Sequence, residues 1–117
     1  MNNLYVKEIV GDTPFMGLSK ANRITAFMDE HKVRNILELG FAHGVSTAYM
    51  AAALRRSGGG AITSIDREEA RQREPNIETL LARVGASDSV QIFYEPTSYV
   101  WRLMKDLYAI RGPDSRQ

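Results

Sequence analysis

The stretch ILELGFAHGVST, residues 36–47, stops an apolar run at Gly40, places a second glycine at Gly44 and continues into an alanine-rich segment. A short apolar run suits a strand covered on both faces, and the segment after it suits a helix. The corner between them has little side chain. In an open α/β sheet, ligands bind outside the carboxyl ends of the strands, where such corners lie. Glycine there lets backbone approach a ligand and tolerates positive φ. The helix start near Val45 to Thr47 also offers N–H groups without intrahelical partners.

The rest of the chain repeats this alternation. GDTPFMG (11–17) is punctuated as a loop. SKANRITAFMDEHK (19–32) sets Ile24, Phe27 and Met28 at helical spacing, with Ser19 as the expected N-cap. A strand ends near Glu38 or Leu39, and a helix runs from Val45 to the glycines of SGGG. AITSID (61–66) is the second strand, and the polar REEARQRE after it reads as a loop with some helical turn. Pro75 suits the first turn of a helix that Gly85 ends. SVQIFYE (89–95) is the third strand, and Val100, Leu103, Met104 and Leu107 mark one face of a last helix. The order helix, then β-α-β-α-β-α, predicts an α/β fold with a parallel sheet and right-handed crossovers.

Composition narrows the function classes. At 117 residues the chain is expected to form one domain. A net charge of +1 gives no field to gather nucleic acid or acidic membranes. With no cysteine, disulfides, thiolate metal sites and a cysteine nucleophile are excluded. No apolar stretch approaches the roughly 20 residues of a membrane span. The charged MNNLYVKEIV start does not read as a signal peptide, so a cytoplasmic protein is expected.

Three nucleotide-binding patterns can be compared at the corner. A P-loop needs lysine and then Ser or Thr after its second glycine, whereas Gly44 is followed by Val45. The dinucleotide fingerprint, aligned on Gly40, meets Ala42 and Val45 where glycines belong. The third pattern is an acid, Glu38, two residues before Gly40, with Gly44 closing the corner.

In that pattern the chain resembles the class I S-adenosylmethionine-dependent methyltransferases, over roughly residues 16–108. The run NILELGFAHGVST…ITSID…EPTSYVWRLM is similar to the small bacterial O-methyltransferase-like group. The resemblance implies a Rossmann-like parallel sheet of strand order 3-2-1, S-adenosylmethionine as cofactor and a methyl acceptor that the sequence does not identify. It implies a cofactor site at Glu38, Gly40, Ala42, Gly44, Asp66 and Glu95. Glu38 is then expected to favour the positively charged methionyl end, Asp66 to accept both ribose hydroxyls and Glu95 to meet the adenine edge. Ala42, often glycine in the family, is a mild departure.

Each of these residues has a plainer reading as a strand-end acid or a turn glycine; their joint order on three strand ends favours the ligand. His43 is expected to be structural, Trp101 to lie in the core, His31 to be a favourable charge at a helix end, and Arg67, Arg71 and Arg73 to face solvent. No histidine–carboxylate spacing suggests a metal. Relatives of this kind continue into further strands, so the chain is expected to be the cofactor-binding half of a truncated, doubly wound domain. That half would leave the first strand as a bare sheet border, available for a homo-oligomer. A nonenzymatic binding module or inactive fragment is the alternative function.

Overall fold

A computed structural model of the chain describes residues 1–96 and 99–111, with side-chain surroundings for 1–96 and 101–108. It opens with a helix that the sequence reading missed. Helix α1 (Asn3–Val10) starts where the Asn2 side chain accepts from the Tyr5 N–H, and it buries Val6 and Val10. Helix α2 (Leu18–Glu30) starts one residue before Ser19, with Gly17 at the N-cap and no side-chain cap. Ser19 is therefore inside the helix. The buried Thr25 joins the two helices: its hydroxyl donates to the Ala21 carbonyl at 3.0 Å and accepts from Asn3 Nδ2 at 2.9 Å.

Strand β1 (Asn35–Leu39) leads through the glycine corner into helix α3 (Val45–Arg56). Strand β2 (Ala61–Arg67) follows, then a short 3-10 turn over Glu68–Gln72. Helix α4 (Ile77–Val84) is capped by Asn76, whose side chain accepts from the Thr79 N–H at 2.9 Å. Pro75 thus lies before the cap, not in the first turn. Gly85 ends α4 in the left-handed region, as expected. Strand β3 (Val90–Glu95) and helix α5 (Tyr99–Arg111) complete the order.

The strands are parallel, with β2 in the middle, which is the expected 3-2-1 order. The register pairs Glu38 with Ser64 and Asp66 with Tyr94. Side chains alternate across a strand, so Glu38, Ser64, Asp66 and Tyr94 share one face. Helix α3 packs on that face, and α1, α2 and α4 pack against α3. Ile62, Ala48, Ala52, Leu54, Ile77, Leu80, Leu81 and Val84 form the core there. The other face carries Leu37, Leu39, Ile65, Phe93 and Glu95, and among the described residues α5 is the helix that packs on it.

Helix α5 differs from expectation. Trp101 is 52% exposed, and Met104, Leu107 and Tyr108 are exposed too. The helix touches the sheet through half-buried Arg102, Leu103 and Asp106, and no further layer covers its outer side among the described residues. Tyr99 and Val100 side chains, and the tail after Arg111, lie outside the described residues. Among the described residues, no helix is long and apolar enough to cross a membrane.

Candidate cofactor site at the glycine corner

The corner is built by one carboxylate from the neighbouring strand. Asp66 Oδ2 accepts from the backbone N–H of Phe41 at 3.0 Å and of Ala42 at 2.9 Å. Its Oδ1 accepts from the Arg67 N–H at 2.7 Å. Two ionised oxygens offer about four acceptor positions, so room for a ligand hydroxyl remains on this half-buried group. The Gly40 N–H donates to the Ile65 carbonyl at 2.7 Å and continues the ladder to the strand end.

The two glycines have different tasks. Gly40 has φ +82, and a Cβ there would meet nothing within 4 Å, so it presents open backbone. Gly44 has φ +93, and a Cβ there would sit 2.6 Å from Ile77 Cγ1. Gly44 is therefore required by the packing of α4 on the corner. Ala42 adopts φ +53, the left-handed region that a non-glycine residue seldom occupies. The two N–H bonds from Phe41 and Ala42 to Asp66 hold it there.

Glu38 is already engaged. The Ser46 and Thr47 hydroxyls from the first turn of α3 both donate to it, and the Ser64 hydroxyl donates at 3.0 Å. It ties β1 to β2 and to the helix start. Glu95 lies elsewhere: it is 4% exposed, on the α5 face of the sheet, with Lys105 Nζ at 3.1 Å and Arg102 at 3.8 Å. The structure thus brings Gly40, Ala42, Gly44 and Asp66 to one corner, sets Glu38 behind it and leaves Glu95 on the opposite face.

Two recesses flank the corner. One, of about 160 Å³, is lined by Gly40, Phe41, Ala42 and Ser46, with Phe15, Met16 and Lys20 reaching over it from the N-terminal segment. The other, of about 140 Å³, is lined by Asp66, Arg67, Glu69, Ala70 and Arg73. Beside Asp66, the Tyr94 hydroxyl donates to Glu78 at 2.7 Å, its ring meets Phe41 edge-on and Arg71 stacks on it with 3.9 Å to the centroid. Burial first, and then the hydrogen bond to Glu78, push the Tyr94 phenol well above its usual range. Arg67 and Arg71 also pair with Glu69 and Glu68.

Sequence reasoning missed Phe15, Met16, Lys20 and Tyr94. The first three belong to a loop and a helix start with no spacing relation to the corner, so only the tertiary fold joins them. Tyr94 was detectable, since alternation along β3 puts it on the Asp66 face. His43 is half-buried, and its Nδ1 lies 2.8 Å from the Pro75 carbonyl, which fixes it as the donor nitrogen. His31 is exposed and packs against Phe27, with ring centroids 4.3 Å apart. Among the described residues, no three His, Asp or Glu side chains gather as a metal site would need.

Known proteins match this architecture. An O-methyltransferase from Bacillus cereus, solved with S-adenosylhomocysteine, superposes with a TM-score of 0.68 at 19% identity, covering 87% of this chain and 47% of its own. The O-methyltransferase TomG from Streptomyces achromogenes, involved in tomaymycin synthesis and solved with S-adenosylmethionine, gives 0.65 at 20% identity, covering 96% of this chain and 46% of its own. The chain spans about half the length of these structures, and at such identities the likeness speaks for the fold. No curated protein sequence matched. Residues 37–108, from the middle of β1 to near the end of α5, match the family described as methyltransferase domain. That match takes in the corner and all three strand ends, and the chain belongs to the methyltransferase domain family.

Proposed function

We propose that the chain is the S-adenosylmethionine-binding part of a methyltransferase, acting on an acceptor of unidentified class. The observation that carries this reading is the Asp66-fastened corner, with an open Gly40 in front and a recess on each side. The residues fit such a molecule. Each recess alone is too small for a nucleoside with an amino-acid tail, and together they reach the lower end of ligand-pocket volumes, about 300 Å³. The Asp66 carboxylate suits ribose hydroxyls, the open backbone at Gly40 and Ala42 suits the tail, and no pyrophosphate cradle is needed. Glu38 and Gly44 support the corner rather than touch the ligand. Glu95 has no part in the site on this reading.

When bound, the cofactor would supply a sulfonium-borne methyl group as the electrophile. The residues here would bind and orient it. Rate in such a displacement depends on holding the acceptor atom at about 3–3.5 Å and in line, and acceptors needing deprotonation require a base. His43 Nδ1 is committed to the Pro75 carbonyl, and among the described residues no imidazole lines either corner recess. We therefore expect cofactor binding with little methyl transfer by the 117-residue chain alone. A cytoplasmic location is part of the same proposal.

Calorimetry with S-adenosylhomocysteine tests the reading. The chain should bind it, and Asp66→Ala should weaken binding by roughly 1–3 kcal/mol, the scale for losing a charge-assisted hydrogen bond. Unchanged affinity in that variant would remove Asp66 from the site. Absence of binding by the unaltered chain would favour an inactive fragment. Turnover across a panel of simple acceptors would refute the expected lack of transfer.

A further inference from the structure

We propose that Lys20 holds the carboxylate at the amino-acid end of the cofactor, in the recess in front of Gly40; this deepens, and rests on, the function proposed above. Of the residues lining that recess, Lys20 alone carries a formal charge. Gly40, Phe41, Ala42 and Ser46 of the corner line it together with the apolar Phe15 and Met16. A lysine on a recess lined by no acid favours an anion there. Glu38, the acid of β1, accepts from three hydroxyls, and among the described residues it makes no ion pair with Lys20.

The setting of Lys20 in its own helix points the same way. It lies in the first turn of α2, which contains no acidic residue. A cation there opposes the helix dipole. Among the described residues no carboxylate pairs with it, as for Arg23, Arg73 and several other basic residues, but Lys20 is the one of the unpaired cations that lines the recess in front of Gly40. A bound carboxylate would offset this local cost. The apolar Phe15 and Met16 beside it suit the carbon chain and sulfur between that carboxylate and the ribose. The nucleoside end would lie toward Asp66, whose carboxylate lines the second recess.

The test compares two ligands that differ only at that end. S-adenosylhomocysteine has the amino-acid tail, and 5′-methylthioadenosine has the same nucleoside and sulfur without it. Affinities for both are measured by calorimetry on the full chain, for wild type, Lys20→Gln and Lys20→Arg. Lys20→Gln should weaken S-adenosylhomocysteine about tenfold or more and leave methylthioadenosine unchanged. Lys20→Arg should keep most of the affinity. Equal losses for both ligands, or no loss for S-adenosylhomocysteine, would overturn the assignment. If wild type bound the two ligands alike, only the role of Lys20 would fall; if it bound neither, the cofactor-binding reading would fall with it. Lys20 is exposed and without a protein partner, so its replacement should leave the thermal transition in place.

Discussion

Gly40 and Gly44 are four residues apart and both have positive φ, yet substitution should harm them differently. At Gly44 a methyl group meets Ile77 at 2.6 Å, and the first turn of α4 would have to shift. Overpacking of this kind costs about 1–3 kcal/mol, to which the left-handed strain of an L-residue adds. At Gly40 the strain is similar, but the space is open. Gly44→Ala should therefore lower the thermal midpoint clearly more than Gly40→Ala. Gly40→Val should chiefly weaken S-adenosylhomocysteine binding, because its branched side chain projects into the front recess. Equal midpoints for the two alanine variants would contradict the packing role of Gly44. Sequence spacing marked both glycines but could not separate these tasks, since Ile77 lies 33 positions beyond Gly44. Glu38 posed the same problem. Its position at the strand end was legible, but its three hydroxyl partners come from two other elements.

Among the elements, β1, β2, β3, α3 and α4 were legible because hydrophobic period and punctuation agree there. Helix α1 was not legible because its apolar face is short, Val6, Ile9 and Val10 within a charged and polar segment. Helix α5 was legible as a helix and misjudged as core. An apolar face announces burial only if some layer is there to cover it. Ion pairs contribute to fixing α5 to the sheet: Glu95 is nearly sealed, with Lys105 and Arg102 beside it. Removing Glu95 takes away the buried acid on β3 that Lys105 and Arg102 of α5 share. Glu95→Ala should thus speed amide exchange over residues 99–111 and lower the thermal midpoint. It should leave S-adenosylhomocysteine affinity unchanged, because Glu95 faces away from the corner. A selective loss of affinity, with exchange in α5 unaltered, would restore Glu95 to the adenine side of the site.

At the scale of the whole molecule, one side of the sheet is finished and the other is open. Helix α3, with α1, α2 and α4 packed around it, covers the Glu38–Asp66 face, while β1 pairs only with β2 among the described residues. Leu37 is 49% exposed and Leu39 42% exposed on the α5 face of that border strand. Close to them, Ile36, Leu37, Leu103 and Leu107 line an apolar groove of about 340 Å³. A border strand with free N–H and carbonyl groups and apolar neighbours is a template for pairing with another chain. We therefore expect the purified chain to self-associate as concentration rises. Leu37→Lys and Leu39→Lys, placing charge where edge strands usually carry it, should shift the population toward monomer. Both leucines are already substantially exposed, so the substitutions should leave far-ultraviolet circular dichroism unchanged. Sedimentation velocity across a concentration series checks this directly. A compact monomer at high concentration for the unaltered chain would show that the border is protected without a partner, and an association insensitive to both lysine variants would move the contact away from β1.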